Sequence, residues 1–314
     1  VALTPFDLDA ALREAVSNFV LSIYGAPKTG KTTLALTGQR PLHVVYLDTN
    51  PGIMEAMVAS AKKYGTDGLT HSVHRPLQYS ALTQEEAQRR IASIEADAHK
   101  FLADAEARYA KGEPGGTFVV DGGTMLKGYY EKALLGQSAT LGWRASKGER
   151  GGPSTFDYAQ SNQALFDFIA QFNGAKCDAV FVFEGRRVYK EVFEDGRKVS
   201  KATDKYRSSR PDRLPFALSA EIETLKVMER VDPSNAESAL ITTPSVRVAY
   251  SGSTIAFDNT VLPVSAFDGS LMGLKQLLMG DTIPDAVFKQ MKSGNSVVRA
   301  NDAGLLSTPD DVDA

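Results

Sequence analysis

Cysteine is nearly missing from this chain: Cys177 is the only one among 314 residues. An internal disulfide is excluded, and so is a zinc site built on several thiolates. Cys177 falls between a helix-like and a strand-like segment, where a buried structural thiol is expected. Long apolar runs are missing too; no stretch approaches the roughly 20 residues of a membrane span. Asp7, Asp9, Arg13 and Glu14 stand within the first twenty residues and argue against a secretory signal. A cytoplasmic protein without membrane contact is the expectation. Neither sign of charge dominates: 35 Lys and Arg face 38 Asp and Glu, for a net charge of -3. Any contact with a polyanion must therefore be a local patch and not a global field. What is present is ordinary for a globular chain, 43% hydrophobic and 23% charged residues, with length enough for one large α/β domain and an appendage.

Against this background one stretch stands out. Gly25-Ala26-Pro27-Lys28-Thr29-Gly30-Lys31-Thr32 reads G-x-x-x-x-G-K-T, and Thr33 follows it. The strand-forming run Phe19 to Tyr24 precedes it, and Thr32 to Leu36 can start a helix. Strand, glycine loop and helix are the parts of a phosphate-binding loop. Backbone N–H groups of a tight turn neutralise a triphosphate without side-chain reach, and Gly25 and Gly30 permit the turn. Lys31 is placed to reach the outer phosphates of ATP, and the Thr32 hydroxyl to hold Mg²⁺. A glycine-rich turn with an incidental lysine is the rival reading of the same residues.

The remaining landmarks follow in chain order. His43 to Leu47 reads as a buried strand ending in Asp48-Thr49-Asn50, and Ile53 to Tyr64 as a helix. Thr70 to His74 reads as a short strand whose histidines, His71 and His74, are expected at the surface. Thr83 to Tyr109 is the longest helix, with Ala87, Ile91, Ile94, Ala98, Leu102, Ala105 and Tyr109 as its apolar stripe. Thr117 to Asp121 is an apolar strand ending in a carboxylate, the partner expected opposite Thr32 on Mg²⁺. A helix from Thr124 to Leu135 precedes a polar glycine-rich loop, Gly136 to Pro153, that carries Trp143, Arg144, Lys147 and Arg150. A second helix, Thr155 to Phe172, leads to the strand Ala179 to Phe183 with Glu184 at its end. Val188 to Phe193 and Arg197 to Ala202 flank Asp195-Gly196, a hairpin signal. Residues 186–213 hold ten Lys and Arg against five Asp and Glu, so this stretch is basic inside an acidic protein. Later strands are expected at 223–231 and 245–257, a short helix over 214–220, and another helix over Leu271 to Met279.

Gly25–Thr33, Val45–Asn50, Phe118–Gly123 and Tyr158–Arg187 together resemble the RecA-like core of phage-encoded P-loop ATPases, in particular the small single-strand annealing recombinases. The resemblance covers about residues 15–230. It implies an α/β fold: a mostly parallel central sheet flanked by helices, with a β-hairpin and a small C-terminal extension. Residues 1–18 are then a lead-in, 19–260 the ATPase domain, and 261–314 a helical extension with a mobile acidic tail. It implies ATP and Mg²⁺ as ligands, a homo-oligomeric ring or filament, single-stranded DNA as partner, and the host cytoplasm as location. Two loops of such proteins face DNA. By position they match Gly136–Pro153, with Arg144, Lys147 and Arg150, and Arg186–Arg213, with Lys198, Lys201, Lys205, Arg207 and Arg210.

The resemblance has one departure. Asn50 occupies the position where RecA-like ATPases carry the glutamate that activates water, and an amide cannot take that proton. Lys31, Asp48 and Glu184 are the remaining catalytic candidates. Two other functions fit the same residues. One is a phage assembly or packaging accessory that binds nucleotide with little turnover, which Asn50 favours. The other is a small-molecule kinase in which 186–213 is an arginine-rich lid.

Overall fold

A strand that is apolar on both faces needs a sheet covered on both sides. The short Val, Phe and Ile runs of this chain meet that need in the centre of one sheet. The computed structural model describes residues 18–47, 52–74, 82–140, 155–194, 197–211, 214–230, 240–252, 259–279 and 298–299. In order, the chain forms β1 (Val20–Gly25), α1 (Lys31–Ala35), β2 (Leu42–Tyr46), α2 (Gly52–Tyr64), β3 (Leu69–Val73), α3 (Gln84–Tyr109), β4 (Thr117–Asp121) and α4 (Gly123–Thr140). It continues with α5 (Thr155–Ala170), β5 (Asp178–Val182), β6 (Gly185–Glu194), β7 (Arg197–Ser208), β8 (Ala220–Arg230), β9 (Leu240–Ser251), β10 (Val261–Pro263), α6 (Leu271–Met279) and β11 (Val298–Arg299).

The main sheet runs β10-β9-β8-β1-β5-β4-β2-β3, with β11 beside the far end of β8. From β3 to β8 every neighbouring pair is parallel; β9 and β10 add an antiparallel edge. β6 and β7 form a separate antiparallel hairpin. The fold is thus an α/β sheet, mostly parallel and flanked by helices, with a hairpin, as expected.

Side chains alternate between two cores. Val20, Tyr24, Phe118, Val120, Ala179 and Phe181 face α3, α4 and α5. There Phe118, Phe168, Phe172 and Phe181 pack with ring centroids 5.2 to 6.2 Å apart. Leu21, Ile23, Val119 and Val180 face the other way, against Leu34, Ile53 and Leu274 of α1, α2 and α6.

Helix α3 starts where a cap exists: the Thr83 hydroxyl accepts from the Glu86 N–H at 3.1 Å. Its buried stripe is Ala87, Ile91, Ile94, Ala98, Phe101 and Ala105. Phe101 replaces the expected Leu102, and Tyr109 is exposed, because the buried stripe keeps a strict alternation of four- and three-residue steps through Phe101 and Ala105. Residues 261–279 are no outlying extension: β10 pairs with β9, and Leu271, Leu274, Leu277 and Leu278 close the second core. A helix over Asp7–Ser17, the Asp48-Thr49-Asn50 end of the second strand, residues 141–153 of the expected loop Gly136–Pro153, and the tail after Asn301 fall outside the described residues.

One buried charge pair ties α6 to the sheet. Lys275 Nζ lies 2.7 Å from Asp178 Oδ1, both nearly excluded from solvent. Burial pushes the Asp178 carboxyl above the usual carboxylate range, and the Lys275 ammonium pulls it part of the way back. Lys275→Met removes the ammonium and raises that carboxyl further. A raised acid favours the native state at low pH and loses that advantage as pH rises. The variant should therefore lose about 3–5 kcal/mol at pH 7 and clearly less near pH 5. Urea denaturation at the two pH values checks this; an equal loss at both would remove Asp178 as the titrating partner.

Candidate functional site

The phosphate-loop motif sits where β1 ends between β5 and β8. Gly25 has φ +148°, and a Cβ on it would stand 2.4 Å from the Thr224 carbonyl oxygen of β8. No other residue fits that position. Lys28 and Gly30 also have positive φ, 60° and 93°. The loop thereby curls back on itself, and Lys31 Nζ donates to the carbonyls of Gly25 at 3.0 Å and Ala26 at 2.8 Å. The Thr29 hydroxyl donates to the Ala26 carbonyl at 2.8 Å.

The helix that follows is short. α1 spans only five residues, and its first rung is Leu34 N–H to Gly30 C=O at 2.9 Å. Backbone amides up to Thr33 precede that rung and have no acceptor within the helix. Loop amides and Lys31, more than a helix dipole, must therefore supply any positive field here.

Thr32 and Asp121 come together as their residue types suggested. The Thr32 hydroxyl donates to Asp121 Oδ2 at 2.6 Å, and Asp121 is only 5% exposed. The main chain around Asp121 is fixed by β2 on one side, with Leu47 N–H on the Asp121 carbonyl at 2.9 Å, and by β5 on the other. A hard divalent cation needs a hydroxyl and a carboxylate converging at this separation, so the pair suits Mg²⁺. Thr32 would ligate it directly and Asp121 through water.

Glu184 stands just past β5, exposed, on a tightly held backbone. Its N–H donates to the Thr124 hydroxyl at 2.9 Å, and its carbonyl accepts from the Ser209 N–H at 3.1 Å. Thr124 Oγ1 and Ser209 Oγ lie 2.5 Å apart. These bonds clamp the root of the β6–β7 hairpin. The same root touches the phosphate loop: a Cβ on Gly185 would stand 2.6 Å from the Gly25 carbonyl oxygen. Asp48, Asn50, Trp143, Arg144, Lys147 and Arg150 lie outside the described residues.

The hairpin carries most of its basic residues outward. Lys198, Lys201, Lys205 and Arg207 are exposed, and Lys198 is paired with Glu191 across the strands. Arg186 lies opposite Arg207 and Lys190 opposite Lys201 in the register. The Arg187 guanidinium sits over the Tyr206 ring, 5.8 Å from its centroid. Arg210 is different. Its Nε and Nη2 bond the two oxygens of Glu221 on β8 at 2.5 and 2.6 Å, and its Nη1 donates to the Pro211 carbonyl at 3.0 Å. Its guanidinium fork is committed to a buried carboxylate, not presented with the hairpin lysines.

Three further groups shape the site without a sequence signal: Thr224, Thr124 and Ser209. Beside them, Glu223 pairs with Arg247, and Arg247 reaches the Tyr24 hydroxyl at 3.4 Å. Burial, then the Glu223 charge, push the Tyr24 phenol up to about 12, so it stays neutral. Burial likewise pushes the Cys177 thiol up to about 12, as suits a structural thiol. His74 is no surface histidine: it is half-buried, its Nε2 lies 3.1 Å from Asp97 Oδ2, and its carbonyl accepts from Arg90 at 2.6 Å and Tyr129 at 2.7 Å.

No protein-family model matches the sequence, and no curated protein matches it. Among solved structures, the chain is similar to a KaiC-like protein from the hyperthermophilic archaeon Pyrococcus horikoshii. The identity is 11% and the TM-score 0.38, over 78% of this chain and 84% of that one. At that distance the likeness carries no chemistry.

The geometry separates Arg210 from the other basic residues by its effect on stability. Arg210→Ala strips a buried carboxylate of its partner and should cost about 3–5 kcal/mol. Arg207→Ala, on an exposed surface, should cost about 0.5 kcal/mol or less. Parallel denaturant titrations decide between them; two equal, small losses would mean that the Arg210–Glu221 pair does not hold the hairpin exit in place.

Proposed function

We infer that this protein is a RecA-like P-loop ATPase that binds single-stranded DNA through its basic hairpin and uses it in annealing or recombination. The observation that carries the nucleotide half is the meeting of Thr32 and Asp121 at 2.6 Å, beside a loop whose own carbonyls hold Lys31 Nζ. Bound Mg²⁺ would neutralise charge on the outer phosphates and orient them for in-line attack. Lys31, with three rotatable donors on one ammonium, can exchange contacts within the loop for the outer phosphates when nucleotide binds. With Mg²⁺ bound, Thr32 and Asp121 would hold the cation in place of their hydrogen bond to each other. Glu184, exposed at the strand end on a fixed backbone, supplies the carboxylate that Asn50 does not.

The DNA half is supported by charge placement. Like charges directly opposite on neighbouring strands destabilise a hairpin, and this one has two such pairs. A phosphate backbone laid along them removes the repulsion. The contact between Gly185 and Gly25 supports coupling, because a shift of the hairpin root must move the phosphate loop. A ring or filament of copies belongs to the same reading, with Arg186 or Arg187 available to a neighbouring site. The competing reading, an assembly factor that holds ATP without turnover, rests on Asn50 alone and is separated by phosphate release with and without DNA.

Lys31→Ala should keep the fold and lower ATP turnover about 100-fold or more. Turnover at the parental rate would sink the nucleotide reading. Asn50→Glu should raise a slow parental rate, and Glu184→Gln should lower it; a fast parent indifferent to both would mean that the base lies elsewhere.

Changing Lys198, Lys201, Lys205 and Arg207 together to Ala should weaken single-strand binding at least about tenfold at low salt and reduce the salt slope by up to about 3. ATP affinity should stay within about twofold, since none of the four touches the loop. Fluorescence anisotropy over a salt series reads both quantities. A parent that binds no single strand at low salt would leave only a P-loop ATPase.

A further inference from the structure

β8 does more than flank β1. Its residue Thr224 meets the phosphate loop twice, from 195 positions away in sequence. Its backbone oxygen is the wall that forbids a side chain on Gly25. Its hydroxyl oxygen lies 2.7 Å from Thr29 Oγ1 and 3.3 Å from the Tyr24 carbonyl oxygen.

Three contacts compete for the hydroxyl protons, and the two shortest distances select how these groups are joined. Two hydroxyls carry two protons. The Thr29 proton goes to the Ala26 carbonyl at 2.8 Å. Thr29 Oγ1 is then an acceptor, and the Thr224 hydroxyl donates to it across the shorter of its two distances. The Ala26 carbonyl also accepts from Lys31 Nζ at 2.8 Å. A single chain of hydrogen bonds therefore runs from Thr224 through Thr29 and the Ala26 carbonyl to the Lys31 ammonium. Thr224 is 3% exposed, so water does not compete for its proton.

We propose that Thr224 is a positioning residue of the nucleotide site: its hydroxyl, through Thr29, holds the loop curled so that the loop amides and Lys31 are aimed before the nucleotide arrives. Without it, Thr29 is free to turn away from Ala26, and nucleotide binding must order the loop at its own cost. The inference rests on the phosphate-loop reading.

The test measures Mg-ADP affinity by calorimetry for the parent, Thr224→Val, which keeps the shape and loses the hydroxyl, and Thr224→Ser, which keeps the hydroxyl. Thr224→Val should bind about 3- to 10-fold more weakly, the range of one lost hydrogen bond. Thr224→Ser should return to within about twofold of the parent, with the nucleotide-free melting temperatures of all three within about 2 °C. Parental affinity in Thr224→Val overturns the proposal. So does a Thr224→Ser variant as weak as Thr224→Val, because packing would then be the cause. Should the valine methyl, pressed on Thr29 Oγ1, prevent folding, Thr224→Ala removes the hydroxyl without that clash and carries the same expectation. A parent that binds no Mg-ADP removes the phosphate-loop reading itself, and this inference with it; a parent that binds while all the variants match it removes this inference alone.

Discussion

The arrangement depends on the absence of a side chain at Gly25. Three stretches of backbone meet there: the end of β1, Thr224 of β8 on one side, and Gly185 at the hairpin root on the other. A Cβ on Gly25 would stand 2.4 Å from the Thr224 oxygen, and one on Gly185 2.6 Å from the Gly25 oxygen. These are repulsive distances against backbone, which cannot rotate away as a side-chain tip does. The close approach lets β8 buttress the loop and lets the hairpin spring from beside it. It also means that the loop, β8 and the hairpin root cannot shift independently.

The order of the strands then decides which side chains can cooperate. β5 separates β1 from β4, and the register aligns Ile23, Val182 and Asp121 across the three strands. Asp121 is thus two residues short of the level at which β1 turns into its loop. Helix α1 folds back over that gap and carries Thr32 to within a hydrogen bond of Asp121. A one-residue slip of β4 would point the carboxylate to the wrong side of the sheet.

This explains what was legible in the sequence. The phosphate loop, β4 at Thr117–Asp121 and α6 at Leu271–Met279 stand where local pattern put them, because each is specified by neighbouring residues. Helix α4 runs to Thr140, past the expected Leu135, since Gly136 inside a helix costs only about 1 kcal/mol and no proline follows it. Thr224 was not legible. Its role follows from the pairing of β1 with β8, and a parallel pairing across some two hundred residues leaves no local trace. Arg210 shows the same limit in reverse. Counted along the chain it belongs to a basic cluster, but a carboxylate eleven residues later removes it from that cluster.

The hairpin shows where the structure places its stability. A two-stranded ribbon alone is marginal in water. Here the root is fixed by Thr124, Ser209 and the Arg210–Glu221 pair, all anchored in the main fold. The blade beyond is different: Tyr189 is 61% exposed, and the Lys198–Glu191 pair is too exposed to contribute much. Arg opposite Arg and Lys opposite Lys raise its free energy further. Stability is therefore concentrated at the root, where buried and backbone hydrogen bonds tie the ribbon to the main fold, and not in the exposed blade.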